Sequence, residues 1–245
     1  MSAQTTTRIR TAAHTHPGHW RPINEDRFLV RELSAEAVLA AVADGMGGHA
    51  GGEIAAQSAV DSLAEFSPRP GADESQLVLA ITAANDRVLD EASRRPGLQG
   101  MGCTLTVALV EKEKGQLSWG QVGDSRLYLL RAGELRQLTT DQNLAQSLVA
   151  AGQLTPAEAR ESPYRHMLNQ CVGCRECVPA SGRLPVEAGD LLLLSTDGLH
   201  GELSAGKIRD LLTAESDLER LARALVQAAL ARGGKDNVTV VLAAL

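Results

Sequence analysis

Residues 39–53 read LAAVADGMGGHAGGE: an apolar run that stops at Asp44 and is followed by five glycines in eight positions. The run reaches back through Ala37 and Val38 with no polar side chain, so a strand here is covered on both faces rather than one. DLLLLSTDG repeats the pattern and stops at Asp197. Two explanations of the glycines compete. Gly45, Gly47 and Ala50 fit G-x-G-x-x-A, the turn that binds a dinucleotide between a strand and a helix. Alternatively, Asp44 is the working residue and the glycines let backbone crowd around whatever it holds.

The rhythm of the chain bears on that choice. Strands are expected at Arg8 to His14, at Arg27 to Val30 and through AVLAAVAD, and helices at Gly52 to Phe66 and Ser75 to Arg95. Thr104 to Val110, Gln116 to Val122, Arg126 to Leu130 and LRQLT then read as an antiparallel meander. Short helices follow at Asn143 to Ala151 and Pro156 to Arg160, the second opened by Thr155-Pro156. After DLLLLSTDG come helices at Ser204 to Thr213 and Ser216 to Arg232, and a last strand in GGKDNVTVVLAAL. Helices in pairs and strands in meanders lack the βαβ repeat of a doubly wound parallel sheet. The acidic partner a dinucleotide would want is Glu65, inside a helix rather than at a strand end.

Composition narrows the function class. The chain of 245 residues is 44% apolar and 22% charged, with a net charge of −6 and no basic block. Nothing could neutralise a run of phosphates, which argues against a nucleic-acid partner. No apolar run approaches the ~20 residues that span a bilayer, and MSAQTTTRIR has no apolar signal core, so the expectation is a cytoplasmic protein. No internal repeat or long linker divides the chain, and one domain over residues 1–245 is expected.

Aspartates recur where strands meet loops: Asp26 in NEDRF, Asp44 in ADGMGG, Asp124 in VGDSR, Asp197 in STDGL and Asp236 in KDNV. Asp-Gly is also a common turn dipeptide, but five such sites make five unrelated turns a poor account. Carboxylates at neighbouring strand ends converge and repel unless cations neutralise them. An all-oxygen set without His or Cys suits Mg2+ or Mn2+ better than Zn2+.

RPINED, VADGMGGHAGGE, GCTLTVALV, WGQVGDSRLYLLRAGELRQLTTDQNL, LLLLSTDGL and GGKDNVTVVL stand in the order found in the metal-dependent type 2C protein phosphatases. From about Gly18 to Val241 the chain resembles the bacterial single-domain branch of that family. The resemblance implies an α+β fold of two stacked antiparallel β-sheets flanked by helical layers, with a binuclear Mn2+ or Mg2+ centre at one end. It implies that Asp44 bridges two metals with the Gly45 carbonyl on one, and that Asp197 and Asp236 complete the other. Asp26 would hold metal-bound waters, Asn237 would support the site, and Asp124 with Asp197 would hold a third, weaker metal. Arg21, five residues before Asp26, stands where the family clamps phosphate. The activity implied is hydrolysis of phosphoserine and phosphothreonine in proteins, opposing a Ser/Thr protein kinase in bacterial signalling. A forkhead-associated-domain partner and a role in secretion-system regulation would fit the same branch. The alternative is a phosphoprotein-binding module without catalysis on the same fold.

The chain departs from the family in places. Met46 stands where many eukaryotic relatives carry a histidine, which leaves His49 as a candidate general acid beside a metal-bound water. A flap over about residues 141–182 would influence substrate choice, with Arg165 and His166 its candidate substrate contacts. His14, His16 and His19 in HTHPGHW are expected to be surface residues rather than metal ligands. CVGCREC offers Cys171, Cys174 and Cys177 as a metal or redox site, or simply as reduced loop thiols, while Cys103 is expected in a distant strand.

Overall fold

The computed structural model describes residues 8–47, 51–69 and 73–245. The chain runs through β1 (Arg10–His16), β2 (Arg27–Ser34), β3 (Ala37–Ala43) and the two-residue β4 (Gly45–Met46), then α1 (Gly51–Glu65) and α2 (Glu74–Arg94). Next come β5 (Gly102–Cys103), β6 (Leu105–Glu111), β7 (Gln116–Val122), β8 (Arg126–Arg131) and β9 (Glu134–Gln137). Two short helices, α3 (Leu144–Ala150) and α4 (Pro156–Glu161), precede β10 (Ala180–Pro185) and β11 (Leu191–Ser195). The chain finishes with α5 (Asp197–His200), α6 (Ala205–Ala214), α7 (Leu218–Arg232) and β12 (Val238–Ala244).

Two five-stranded sheets result, ordered β1-β12-β11-β8-β9 and β10-β7-β6-β3-β2, with β4 and β5 as a separate pair. Every pairing among them is antiparallel. The apolar runs follow from the layers. Leu192 and Leu194 pack between the sheets against Val38, Ala40, Val42 and Ala108, while Leu191 and Leu193 face outward under α6 and α7. On the other side, Leu39, Ala41 and Ala43 lie beneath α1 and α2 with Ala55, Leu63, Leu77 and Ile81. Helix, sheet, sheet, helix is the order of the layers, the α+β sandwich expected. Parallel pairing is absent among the described strands and Glu65 is the last residue of α1, so the framework of a dinucleotide turn is missing.

Two features differ from the sequence reading. The expected meander is split, because β7 pairs with β6 and β10 whereas β8 pairs with β9 and β11. The chain crosses between sheets at residues 123–125. Gly123 takes φ +97 there, and a Cβ on it would sit 2.7 Å from Thr104 Cγ2. Ser125 is then held by the Thr104 hydroxyl at 2.7 Å and, through its carbonyl, by the Thr106 hydroxyl at 2.8 Å. Periodicity reports a strand but not the sheet it joins. The second difference is β10, ASGRLP, whose glycine and proline hide it. It is an edge strand, and Gly182 is needed because a Cβ would stand 2.7 Å from the Trp119 ring.

Leu194 is fully buried between the sheets, whereas Leu79 on α2 is 68% exposed. Leu194→Ala is expected to lower stability by roughly 2–5 kcal/mol. Leu79→Ala should stay within about 0.5 kcal/mol of the parent in the same denaturant titration.

Candidate active site

One end of the sandwich gathers the strand-end aspartates. Asp44 follows β3, Asp197 follows β11 and opens α5, and Asp236 lies just before β12. Asp26 precedes β2, and Asp124 occupies the crossing between sheets. Asp44 and Asp26 are fixed by backbone and hydroxyl contacts. The Asp44 amide donates to Thr104 Oγ1 at 3.0 Å and its carbonyl accepts from the Thr104 amide at 2.9 Å. Thr104 in turn meets Ser125 beside Asp124. Asp26 Oδ2 accepts from the hydroxyls of Thr196 at 2.8 Å and Thr239 at 2.7 Å.

Close backbone approach explains the glycines. A Cβ on Gly45 would lie 2.2 Å from the Gly52 carbonyl oxygen and 2.7 Å from that of Glu25. The chain after Asp44 therefore runs directly against the start of α1 and the loop carrying Asp26, leaving no room for a side chain. Gly198 is equally confined, with its Cβ position 1.9 Å from the Asn237 carbonyl oxygen.

Asn237 ties the N-terminal loop down. Its Oδ1 accepts from the Glu25 amide at 2.7 Å, and its Nδ2 donates to the carbonyls of Pro17 and Ile23, each at 2.9 Å. Its own amide donates to Asp236 Oδ1 at 2.9 Å. Arg21, on the loop so held, donates from Nη2 to Asp236 Oδ2 at 2.8 Å. The expected phosphate clamp thus rests on an expected metal ligand, half exposed at the rim.

Electrostatics give the cluster its character. Burial raises the Asp44 carboxyl well above the usual range, and the charges of Asp26, Asp197, Asp124 and Asp236 add to the shift. Burial likewise takes Asp26 up to about 7, with Asp197 and Asp236 adding to it and the two threonine hydroxyls opposing. Asp124 rises to about 8 by burial, then by Asp197 and Asp141, with the Asn143 side chain opposing. Asp197 is raised by burial and Asp236, and drawn back by His166, by a hydrogen bond with Asp44 and by Arg21. Five carboxylates within mutual influence do not all ionise in isolation.

No three His, Cys, Asp or Glu groups among the described residues close on one point as a finished ligand shell. The fit to a divalent cation rests on two other observations. Asp26 Oδ1 and Asp197 Oδ1 are buried without a hydrogen-bond partner, a costly state for a carboxylate unless a cation completes it. The donors around them are hard oxygens, as Mg2+ and Mn2+ require.

On the flap side, His166 stands on the 163–166 turn within electrostatic reach of Asp197. Arg165 is engaged inside the flap, donating to the Arg160 carbonyl and to His166 Nε2. The flap is anchored by the Arg126–Asp141 pair, at 2.8 and 2.7 Å. His49 lies outside the described residues. Of the histidines in HTHPGHW, His14 and His16 are half-buried on β1 and only His19 is exposed; the His16 and His19 ring centroids lie 6.3 Å apart, and His16 Nδ1 accepts the Gly18 amide.

Several contributors escaped the sequence reading. Thr104, Thr196 and Thr239 lie within GCTLTVALV, LLLLSTDGL and GGKDNVTVVL, but nothing in those motifs marks the threonines as the groups that fix the aspartates. Asn143 reads in the sequence only as the start of a helix; it caps α3, and its side chain also bonds Asp124. His200, beside Ser195 at 3.2 Å, is kept neutral by burial and by Arg126. Cys177 and Arg183 stand in C-x5-R spacing, which a covalent phosphatase would use. Burial raises the Cys177 thiol to about 11, and Arg183 lies on β10 near Glu74, so no nucleophilic thiolate is held against a phosphate loop.

Comparison with known proteins agrees with this geometry. The profile of the protein phosphatase 2C family matches residues 13–243. The serine/threonine protein phosphatase PstP of Mycobacterium tuberculosis is 40% identical over 243 residues, covering 98% of this chain but only 46% of PstP. The chain thus spans about half the length of that relative. Protein phosphatase PhpP of Streptococcus pneumoniae is 35% identical over 237 residues, 94% of this chain and 95% of PhpP. Among solved structures, M. tuberculosis PstP superposes with a TM-score of 0.89 at 39% identity, covering 97% of this chain and 99% of that one. The PstP catalytic domain in complex with two manganese ions gives 0.85 at 38% identity, covering 97% and 98%. PppA, described as a key regulatory component of the type VI secretion system in Pseudomonas aeruginosa, gives 0.81 at 32% identity, covering 97% of each chain.

The raised carboxyls fix a pH dependence. Asp26 and Asp124 titrate at about 7 and about 8 when folded, against 3.8 ordinarily. Between those values the folded chain binds more protons than the unfolded one, so the site destabilises the metal-free fold increasingly as pH rises. In EDTA, the melting temperature is expected to fall by on the order of 5 °C from pH 6 to pH 8.5. Asp26→Asn should flatten that slope, and a rise over the same interval would contradict the reading.

Proposed function

This chain belongs to the protein phosphatase 2C family, and on that footing we propose that it hydrolyses phosphoserine and phosphothreonine in proteins at a centre holding Mn2+ or Mg2+. The observation that carries the proposal is the buried all-aspartate cluster with its two unpartnered oxygens on Asp26 and Asp197. Asp44, the Gly45 carbonyl, Asp197 and Asp236 would hold two cations, and Asp124 with Asp197 a third, weaker one. Cations held there would supply Lewis acidity, lowering the pKa of a bound water and offsetting the charge of the phosphate oxygens.

The residues of this chain supply the rest. Asp26, locked by Thr196 and Thr239, presents its free oxygen to the cluster and orients water there. The Arg21 guanidinium leaves Asp236 and takes two phosphate oxygens through its planar fork. Asn237 keeps the Arg21 loop in register with Asp236. His166, on the flap within electrostatic reach of Asp197, would meet the substrate, with Arg165 hydrogen-bonded to its ring. His49 is retained as a candidate proton donor to the leaving oxygen.

The implied setting is bacterial signalling against a Ser/Thr protein kinase, with a forkhead-associated-domain protein as a further partner. The likeness to PppA supports secretion-system regulation as one such setting. A cytoplasmic location belongs to the same proposal; no described helix is long and apolar enough to cross a membrane. One domain over residues 1–245, with a flap at about 141–182, accords with a family match that spans both sheets.

The test is hydrolysis of a phosphothreonine peptide with Mn2+, with EDTA, and in Asp44→Asn and Asp197→Asn. Activity should require the metal and fall by on the order of 10³-fold in each variant, the equivalent of several kcal/mol of transition-state stabilisation. A folded, Mn2+-loaded wild type that binds the peptide but releases no phosphate would overturn catalysis in favour of a binding module.

A further inference from the structure

CVGCREC is not a loop of independent thiols. Cys171 and Cys174 form a disulfide with Cα atoms 5.6 Å apart, and Cys103 is not distant from it. Between the two half-cystines, Val172 pairs with Cys103 through two backbone hydrogen bonds, at 3.0 and 2.9 Å. Cys103 and Gly102 form β5, whose partners on β4 are Gly45 and Met46. Three segments therefore lie side by side: the disulfide loop, β5, and the strand that leaves Asp44.

The contact between loop and strand is close. A Cβ on Gly102 would lie 2.7 Å from the Val172 carbonyl oxygen and 3.1 Å from the Met46 terminal methyl, with Cys171 Sγ at 3.7 Å. Gly173, at φ +95, donates its amide to Asn85 Oδ1 on α2 at 2.7 Å, and its Cβ position is 2.5 Å from the Met101 carbonyl oxygen. The closed Cys171–Cys174 turn is thus seated between α2 and β5. The Asp44 carbonyl accepts from the amide of Thr104, the residue that follows β5.

We propose that Cys171 and Cys174 are a reversible redox modification site whose disulfide latches the β4–β5 pair and so sets the position of the Asp44–Gly45 turn. The surroundings keep the exchange within this pair. Cys103 is fully buried, and the half-buried Cys177 is held as a thiol by burial and by Asp86. Cys174 is half-buried whereas Cys171 is 5% exposed, so an external reagent enters at Cys174. With a small-molecule disulfide as oxidant, the Cys174 thiolate displaces one small thiolate and forms a mixed disulfide. Cys171 then attacks Cys174 and displaces the other. Two protein thiols and one small disulfide give one protein disulfide and two small thiols, the two protein protons passing to the departing thiolates. A dithiol reductant reverses the sequence.

The consequence for catalysis rests on the phosphatase reading; the latch itself does not, so the first measurement uses the protein in EDTA. Amide hydrogen exchange at Gly102, Cys103, Val172 and Gly173 should quicken by about tenfold on reduction with dithiothreitol. Exchange in β11 and β12 should stay unchanged. Cys174→Ser should match the reduced form under both conditions, Cys171→Ala should do the same, and Cys177→Ser should still respond. A second measurement, Mn2+ affinity by calorimetry, should weaken several-fold on reduction of the wild type. Unchanged exchange on verified reduction of the bond overturns the proposal. So does stoichiometric Zn2+ uptake by the reduced protein, which would make the cysteines a metal clasp. Faster exchange in a protein that binds no Mn2+ would keep the latch and sink the phosphatase reading.

Discussion

Repulsion among buried carboxylates is the constraint around which this chain is arranged. Asp26, Asp44 and Asp124 are each raised by burial and by the charge of neighbouring aspartates, and Asp197 by burial and by Asp236. Bringing such groups together costs free energy that two apolar layers must offset. The sandwich does so with runs such as LLLL in β11, buried on both faces. The site occurs where strands of both sheets end together, because only there do β3, β11 and β12 bring their termini within reach of the same small volume. The threonines at 104, 196 and 239 convert that meeting into fixed geometry by bonding backbone and carboxylate across the two sheets.

The loop contacts serve the same end. Asn237 makes three side-chain hydrogen bonds that hold residues 17–25 against the start of β12. Gly45, Gly52 and Gly198 let main chains meet where any side chain would collide. Arg21 offsets part of the negative charge by lying on Asp236, and the same guanidinium is the group proposed to bind phosphate. Resting contact and function are therefore in competition, settled by whichever anion is more strongly presented.

Much of this was legible in the sequence, for a physical reason. An aspartate that ends an all-apolar strand is conspicuous, since a charge there needs a partner, and Asp44 and Asp197, with three more aspartates at strand-to-loop edges, imply a shared one. Helix limits were legible because caps are local: Thr155-Pro156 with Glu158 forms the box that opens α4. What sequence did not reveal depends on contacts between remote segments. The division of β7 and β8 between two sheets turns on packing at Gly123 and Ser125. β10 is held at an edge by its neighbour rather than by its own composition. The approach of Cys103 to Val172 joins residues far apart in the chain, and no spacing rule foresees it. The bonding of Asn143 to Asp124 is likewise hidden behind its role as a helix cap.

The central claim is that divalent cations replace protons as the charge that lets these aspartates coexist. Calorimetric Mn2+ titration near pH 7, repeated in buffers of different ionisation enthalpy, reads the protons released on binding. Because Asp26 and Asp124 titrate at about 7 and about 8, the account predicts release of about one proton or more per chain, shrinking as pH rises through that range. Mn2+ binding with no proton release at pH 7, and with the same affinity in Asp44→Asn, would contradict it.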